Sequence, residues 1–218
     1  INATRINARY LPEVIFPPNI HCSDDYQTVL SGVQDILIVV PSAVFHANLV
    51  KLKPFLQSNQ RLLWASKGLD TKKHQLLNEV VKEILGDKEM AVLSGPSCAK
   101  EVAMGLPTAI NIASENYNFA HDLLLRFQTK RFRVEITSDI IGVELGGAMK
   151  NVLAIAVGIT EGLGFGANAK AAVITYGLSE MIELGLVLGA KQETFLGLSG
   201  LGDLVLTCTD NQSRNRRL

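Results

Sequence analysis

Through residue 137 the chain alternates short β-rich apolar runs with helical stretches, and this alternation narrows the possible folds more than any other feature. Asp35-Ile-Leu-Ile-Val-Val40 is a continuous apolar run stopped by Pro41, the pattern of a strand buried on both faces. Ser42 stands where it can cap a following helix with Val44, Leu49, Leu52 and Leu56 as apolar positions. Residues 61–66 read as a second strand, broken by Lys67-Gly68. Leu76, Leu77, Val80, Val81, Ile84 and Leu85 then form one helical stripe, with Asp70 or Thr71 as its cap and Gly86 as its end. Further strands are expected over 90–94, 108–113 and 132–136, with a short helix capped by Ser97 and another over about 118–127. Repeated strand–helix–strand units predict an α/β fold with a mostly parallel sheet. From about Ser138 helical patterns with Gly punctuation take over, through 142–160, 168–189 and 193–206. The expected organisation is a sheet domain over 1–138 and an all-helical domain over 139–218.

Hydrophobic residues make up 47% and charged residues 19%, which suits a packed core and argues against disorder. Lys+Arg 21 against Asp+Glu 21 leaves no basic excess for sequence-independent nucleic-acid binding. The one basic cluster, Arg214, Arg216 and Arg217, suits a single small anion. Cys22, Cys98 and Cys208 are far apart and form no Cys-x-x-Cys pair, so a reducing compartment is the simplest context. The four histidines lack ligand spacing, and no metal is expected. No uninterrupted apolar run reaches the ~18 residues of a membrane helix, so no membrane insertion is expected. No signal peptide is visible, and a chain that starts at Ile1 points to a natural start further upstream.

In open parallel sheets ligands bind beyond the carboxyl ends of the strands. Pro41-Ser42, Lys67-Gly68 and Gly95-Pro96-Ser97 lie at three such ends. Lys67 is either a solvated loop lysine or a ligand contact. Gly95 and Ser97 either make a turn with a cap or present an anion site at a helix N-terminus. Lys150 is the one charge between Glu144 and Glu161 in a long apolar stretch. It either snorkels to solvent or is held where its pKa falls towards neutrality and it can exchange a proton with a substrate oxygen. Gly162-Leu-Gly-Phe-Gly-Ala167 matches the dinucleotide fingerprint by letter but follows a helix, so it reads as a helix–helix connection; a true fingerprint would lie upstream of Ile1. Asp203 and Thr207 stand four residues apart on one helix face, where Asp203 either orients a lysine or starts a helix. Asn211-Gln-Ser213-Arg214-Asn215-Arg216 combines capping side chains, helix N-terminal amides and guanidinium forks, which suits a phosphate or else a solvated basic helix.

Taken in order, these segments resemble the bacterial-type NAD(P)-dependent glycerol-3-phosphate dehydrogenases. The sheet region contributes Val39-Val-Pro-Ser42, Trp64-Ala-Ser-Lys-Gly-Leu69 and Leu93-Ser-Gly-Pro-Ser97. The helical region contributes 142–152, 162–169, 200–209 and Ser213-Arg-Asn-Arg216. The resemblance implies a Rossmann-type domain followed by a 6-phosphogluconate-dehydrogenase-like helical domain, with the family's glycine-rich turn and its last helices outside the chain. It implies NAD or NADP as cofactor, a phosphorylated triose as substrate and a role in supplying glycerol 3-phosphate for phospholipid synthesis. It also implies a cytoplasmic homodimer. Lys150 is then the acid/base at the substrate C2 oxygen, with Lys67 a second active-site lysine touching substrate and cofactor, and Asp203 beside them. Gly95, Ser97, Ser213, Arg214 and Asn215 fall on substrate positions, Ala99 and Arg214 on cofactor positions, and Asn151 and Thr207 in the surrounding network. Two other readings stay open: a dehydrogenase of the same class with a different 2-hydroxy acid or sugar acid, and a non-catalytic phosphate-binding module.

Overall fold

A computed structural model describes residues 1–217. The chain opens with a small antiparallel hairpin, β1 (Ile6–Asn7) and β2 (Leu11–Ile15), and a short helix α1 (Tyr26–Leu30). The sheet domain follows as β3 (Asp35–Ile38), α2 (Ser42–Leu52), β4 (Arg61–Trp64), α3 (Leu77–Leu85), β5 (Met90–Ser94), α4 (Ala99–Ala103), β6 (Thr108–Ala113), α5 (Tyr117–Phe127) and β7 (Phe132–Thr137). Two long helices come next, α6 (Ile140–Gly162) and α7 (Gly166–Val187). The short helix α8 (Gln192–Leu196), a π turn over Leu198–Gly202 and α9 (Asp203–Thr209) are the last helical elements among the described residues.

The five strands run in the order β3-β4-β5-β6-β7. All neighbours are parallel except β5 and β6, which pair antiparallel, so the sheet is mostly parallel. All four residues of β4 are buried, as expected where helices cover both faces. On one face Phe45, Leu49, Trp64, Val80 and Val81 join Ile140 and Val143 of α6 in a single core. On the other, Leu63, Leu93, Ile110 and Ile112 pack under Phe119 and Leu123 of α5. A third core, with Leu153, Val157, Met181, Phe195 and Leu204, holds α6, α7, α8 and α9 together. α6 therefore belongs to two cores at once. By length and composition it could cross a membrane, but 61% of its most apolar window is buried inside the protein.

Several local expectations need correction. β3 ends at Ile38 and is buried on one face only: Ile36 and Ile38 point inward while Leu37 and Val39 are 43% and 67% exposed. Ser42 is the first residue of α2 and makes no capping bond; Pro41 precedes it with the φ that favours a helix start. The stripe from Leu76 becomes helical only at Leu77. Asp70 instead accepts from the N–H groups of Lys72 and Lys73 and closes a separate turn, while Glu79 Oε2 accepts from Leu76 N. Ser97 does not cap α4, whose N-cap is Cys98; its hydroxyl donates to Gly95 O. The helix expected over 193–206 is broken at Gly197 by the π turn. The Gly162–Ala167 segment does connect α6 to α7.

Candidate active site

Lys67 stands three residues beyond Trp64, where the chain leaves the carboxyl end of β4. Gly95 follows β5 with φ +136°, and a side chain there would come within 3.0 Å of Ile110 Cα on antiparallel β6. Glycine lets the turn close, and its carbonyl accepts from Lys67 Nζ at 2.9 Å. Lys150 arrives from the opposite side, on α6. That helix approaches the π turn so closely that a Cβ at Gly146 would lie 2.4 Å from Ser199 O. The π turn is held from β6, where Asn111 Oδ1 accepts from both Ser199 N and Ser199 Oγ. Its register delivers Asp203 to the first position of α9.

The result is a buried three-membered charge cluster. Asp203, 1% exposed, accepts from Lys67 Nζ on Oδ2 at 2.6 Å and from Lys150 Nζ on Oδ1 at 2.5 Å. Thr207 Oγ1 donates to Asp203 O at 2.6 Å, fixing the start of the helix that carries the carboxylate. Burial is the largest influence on Lys67 and brings its pKa down to about 8; the Asp203 carboxylate opposes this and the Lys150 cation adds to it. Lys150 does not snorkel: it is 9% exposed, with its charge spent inward.

A cavity of about 220 Å³ opens above the cluster. Lys67, Lys150 and Asp203 line it together with Ser97, Asn151, Thr207, Ser213, Arg214 and Asn215. Asn151 bridges the walls, donating to Gly147 O and accepting from Asn215 Nδ2 at 2.7 Å. Residues 211–212 and 214–217 are turns. The arginine cluster is also divided. Arg216 binds Glu161 through Nε and Nη2 at 2.7 and 3.0 Å and ties down Thr209 O and Asn211 Oδ1. Glu161, which also receives Lys170, is held down at about 2 chiefly by Arg216. Of the three arginines, Arg214 lines the cavity. A second, more apolar pocket of about 510 Å³ shares Lys67 and Ser97 with the first and adds Val39, Ala65, Leu93, Ser94, Ala99 and Ile110.

Residue types and spacing did not single out Asn111, Ser199, the Glu161–Arg216 pair or Cys98, a wall residue whose thiol is pushed up mainly by burial. Asn111 sits within a strand and Ser199 within an apolar segment, where neither carries a periodic signal. Glu144 was within reach, because it is the other charge bounding the apolar run that singled out Lys150.

The family profile described as NAD-dependent glycerol-3-phosphate dehydrogenase N-terminus matches residues 1–120, and the corresponding C-terminus profile matches 139–218. A glycerol-3-phosphate dehydrogenase (NAD(P)+) of Klebsiella pneumoniae is 56% identical over 215 residues, covering 98% of this chain and 63% of the relative. One from Haemophilus influenzae is 55% identical, covering 98% and 64%. A crystal structure of glycerol-3-phosphate dehydrogenase from Coxiella burnetii superposes with TM-score 0.96 at 55% identity, covering 99% of this chain and 66% of that one. The chain thus spans a little under two thirds of the length of these relatives. With both halves of one family matched in order across almost all of its residues, the chain belongs to the NAD-dependent glycerol-3-phosphate dehydrogenase family.

Proposed function

We propose that the protein this chain represents interconverts sn-glycerol 3-phosphate and dihydroxyacetone phosphate with NAD or NADP. The observation that carries the reading is the convergence of Lys67 and Lys150, from two different cores, on the single Asp203 carboxylate beneath a polar cavity. Two amines and one carboxylate leave a net positive charge facing a site of triose size, which favours an anionic substrate. Lys150 is the acid/base at the C2 oxygen. As an ammonium it donates a proton while the ketone is reduced; as an amine it takes the hydroxyl proton while the alcohol is oxidised. Asp203 aims both amines and opposes the loss of charge at Lys67, which polarises the same oxygen from the sheet side. Arg214, with Ser213 and Asn215, takes the phosphate, and Gly95 and Ser97 line the substrate on the β5 side. Binding a part of the substrate that does not react orients the part that does. Asn151 and Thr207 support this arrangement.

The adjoining apolar pocket suits a nicotinamide. Val39 and Ala65, just past the carboxyl ends of β3 and β4, line it with Leu93, Ala99 and Ile110, an apolar surface on which a ring can stack, and Lys67 and Ser97 give it a polar edge. Ala99, Lys67 and Arg214 would contact the cofactor. A bound nicotinamide supplies or takes up the hydride at C2. We assign residues 1–138 to the dinucleotide domain and 139–218 to the substrate domain. The biological role follows as supply of glycerol 3-phosphate for phospholipid synthesis by a cytoplasmic homodimer.

The test follows NAD(P)H oxidation by the full-length protein with dihydroxyacetone phosphate, and repeats it for Lys150→Ala. Turnover that falls by about 10²-fold or more in the variant is the expected result for loss of a general acid. No turnover by the unmodified protein would remove the substrate assignment, and equal rates would remove Lys150 from the chemistry.

A further inference from the structure

Glu144 is an ionisable group that the proposed chemistry does not use. It lies on α6 and is 6% exposed. Its Oε1 accepts from Trp64 Nε1 at 3.0 Å, and its Oε2 accepts from Asn78 N, in the first turn of α3, at 3.2 Å. Both carboxyl oxygens are therefore committed to donors on two other elements. Trp64 is fully buried, edge-on to Phe45, and is the last residue of β4. Burial is the main reason the Glu144 pKa is pushed up to about 8; Glu79 on α3 raises it further, and the bonds from Asn78, Trp64 and Leu77 oppose the rise. A leucine would avoid that desolvation cost but would leave Trp64 Nε1 and Asn78 N buried without an acceptor. What a carboxyl adds is direction, because its bonds specify one height and one rotation of α6 against β4, whereas apolar contact tolerates sliding. The positions matter: Trp64 is three residues before Lys67, and Glu144 is six residues, or about 9 Å of helix, before Lys150.

We propose that Glu144 is a positioning residue that sets the register of α6 against β4, so that Lys150 and Lys67 reach the same Asp203 carboxylate. The inference rests on the reading of those lysines as the reacting pair. Glu144 touches neither substrate nor cofactor and acts through Trp64 and the start of α3.

The experiment compares Glu144→Leu, Trp64→Phe and Phe45→Leu in the full-length protein. Trp64→Phe keeps most of the ring volume and removes one N–H donor, so it decides the matter if Glu144→Leu does not fold. Phe45→Leu is the control: it loosens the other side of Trp64 and leaves the Glu144 bonds in place. Kinetics with dihydroxyacetone phosphate should show kcat lowered by about tenfold or more in the first two variants, with KM changed less than about threefold, because small misplacement of a reacting group has effects of this size. Phe45→Leu should lose as much in Tm but keep kcat within about twofold. A kcat that merely follows Tm across all three variants would overturn the proposal. A second readout needs no turnover: the pH dependence of Lys67 acetylation by acetic anhydride, followed by peptide mass spectrometry. In the unmodified protein Lys67 should titrate near 8, and in Glu144→Leu and Trp64→Phe it should move up towards 10.5 as the cluster opens to water. An unmoved Lys67 titration would refute the positioning role. If the unmodified protein does not turn over this substrate, the substrate assignment falls and the Lys67 titration alone decides whether Glu144 sets the register.

Discussion

Replacing Asp203 with Asn removes the carboxylate shared by the two amines while keeping the shape of the side chain. Lys67 Nζ lies 2.6 Å from one oxygen and Lys150 Nζ 2.5 Å from the other, and the carboxylate is 1% exposed. At an effective dielectric of about 20 and charge centres about 3 Å apart, each attraction is worth roughly 5 kcal/mol before desolvation is counted. The variant would face two buried cations without an anion, and breaking a buried pair in this way costs about 3–5 kcal/mol. Deprotonation is the lower-energy outcome. Lys67 starts at about 8, and a loss of about 3 kcal/mol moves a pKa by about two units. Asp203→Asn should therefore hold Lys67 neutral at pH 7.5 and weaken the positive field on the substrate oxygen. Ketone reduction at that pH should fall by about 10²–10³-fold, with Tm lowered only modestly because the charge is relieved by proton loss. The assay is NAD(P)H oxidation across pH 6–9 for both proteins. Turnover within about threefold of the unmodified protein, with the alkaline limb unmoved, would refute the idea that this carboxylate holds the protons.

The pH dependence of the two directions should be opposed. Reduction needs a proton donated to the substrate oxygen and oxidation needs one removed, so as Lys67 loses its proton near 8 the reduction rate should fall and the oxidation rate rise. The Lys67 pKa is depressed from 10.5, so the folded protein binds fewer protons than the unfolded chain between about 8 and 10.5. This group's contribution to stability thus rises with pH across that window, which thermal melts can check; parallel pH–rate profiles in the two directions would contradict the acid/base assignment. Gly146→Ala tests the close approach of α6 to the π turn. Its Cβ would lie 2.4 Å from Ser199 O, a backbone atom, so one element must shift. A loss of about 1–3 kcal/mol in stability is expected, with kcat falling more than KM rises as Lys150 moves off Asp203; an unchanged Tm would show that the contact is slack.

What the sequence alone determined was the architecture and the cast of residues. Apolar runs of strand length between helical stripes led to a mostly parallel sheet, because burial on two faces writes itself into local composition, as in β4. The loss of that pattern after Thr137 marked the turn to helices. A lone charge in an apolar helix singled out Lys150, and the ordered motif series led to Lys67, Asp203 and Arg214. Tertiary structure decided everything that depends on who meets whom. Lys67 and Asp203 are 136 residues apart and Lys150 and Asp203 53 apart, so no window of sequence holds their contact. The split of the arginine cluster, with Arg216 given to Glu161 and Arg214 lining the cavity, turns on a partner 55 residues away. The caps expected at Ser97 and Asp70 went astray for a related reason: a side chain that can cap a helix can equally serve a turn or a neighbouring carbonyl, and the energies differ too little for local sequence to choose. The π turn before Asp203 is held by Asn111 on a distant strand, a contact that exists only once the sheet has formed.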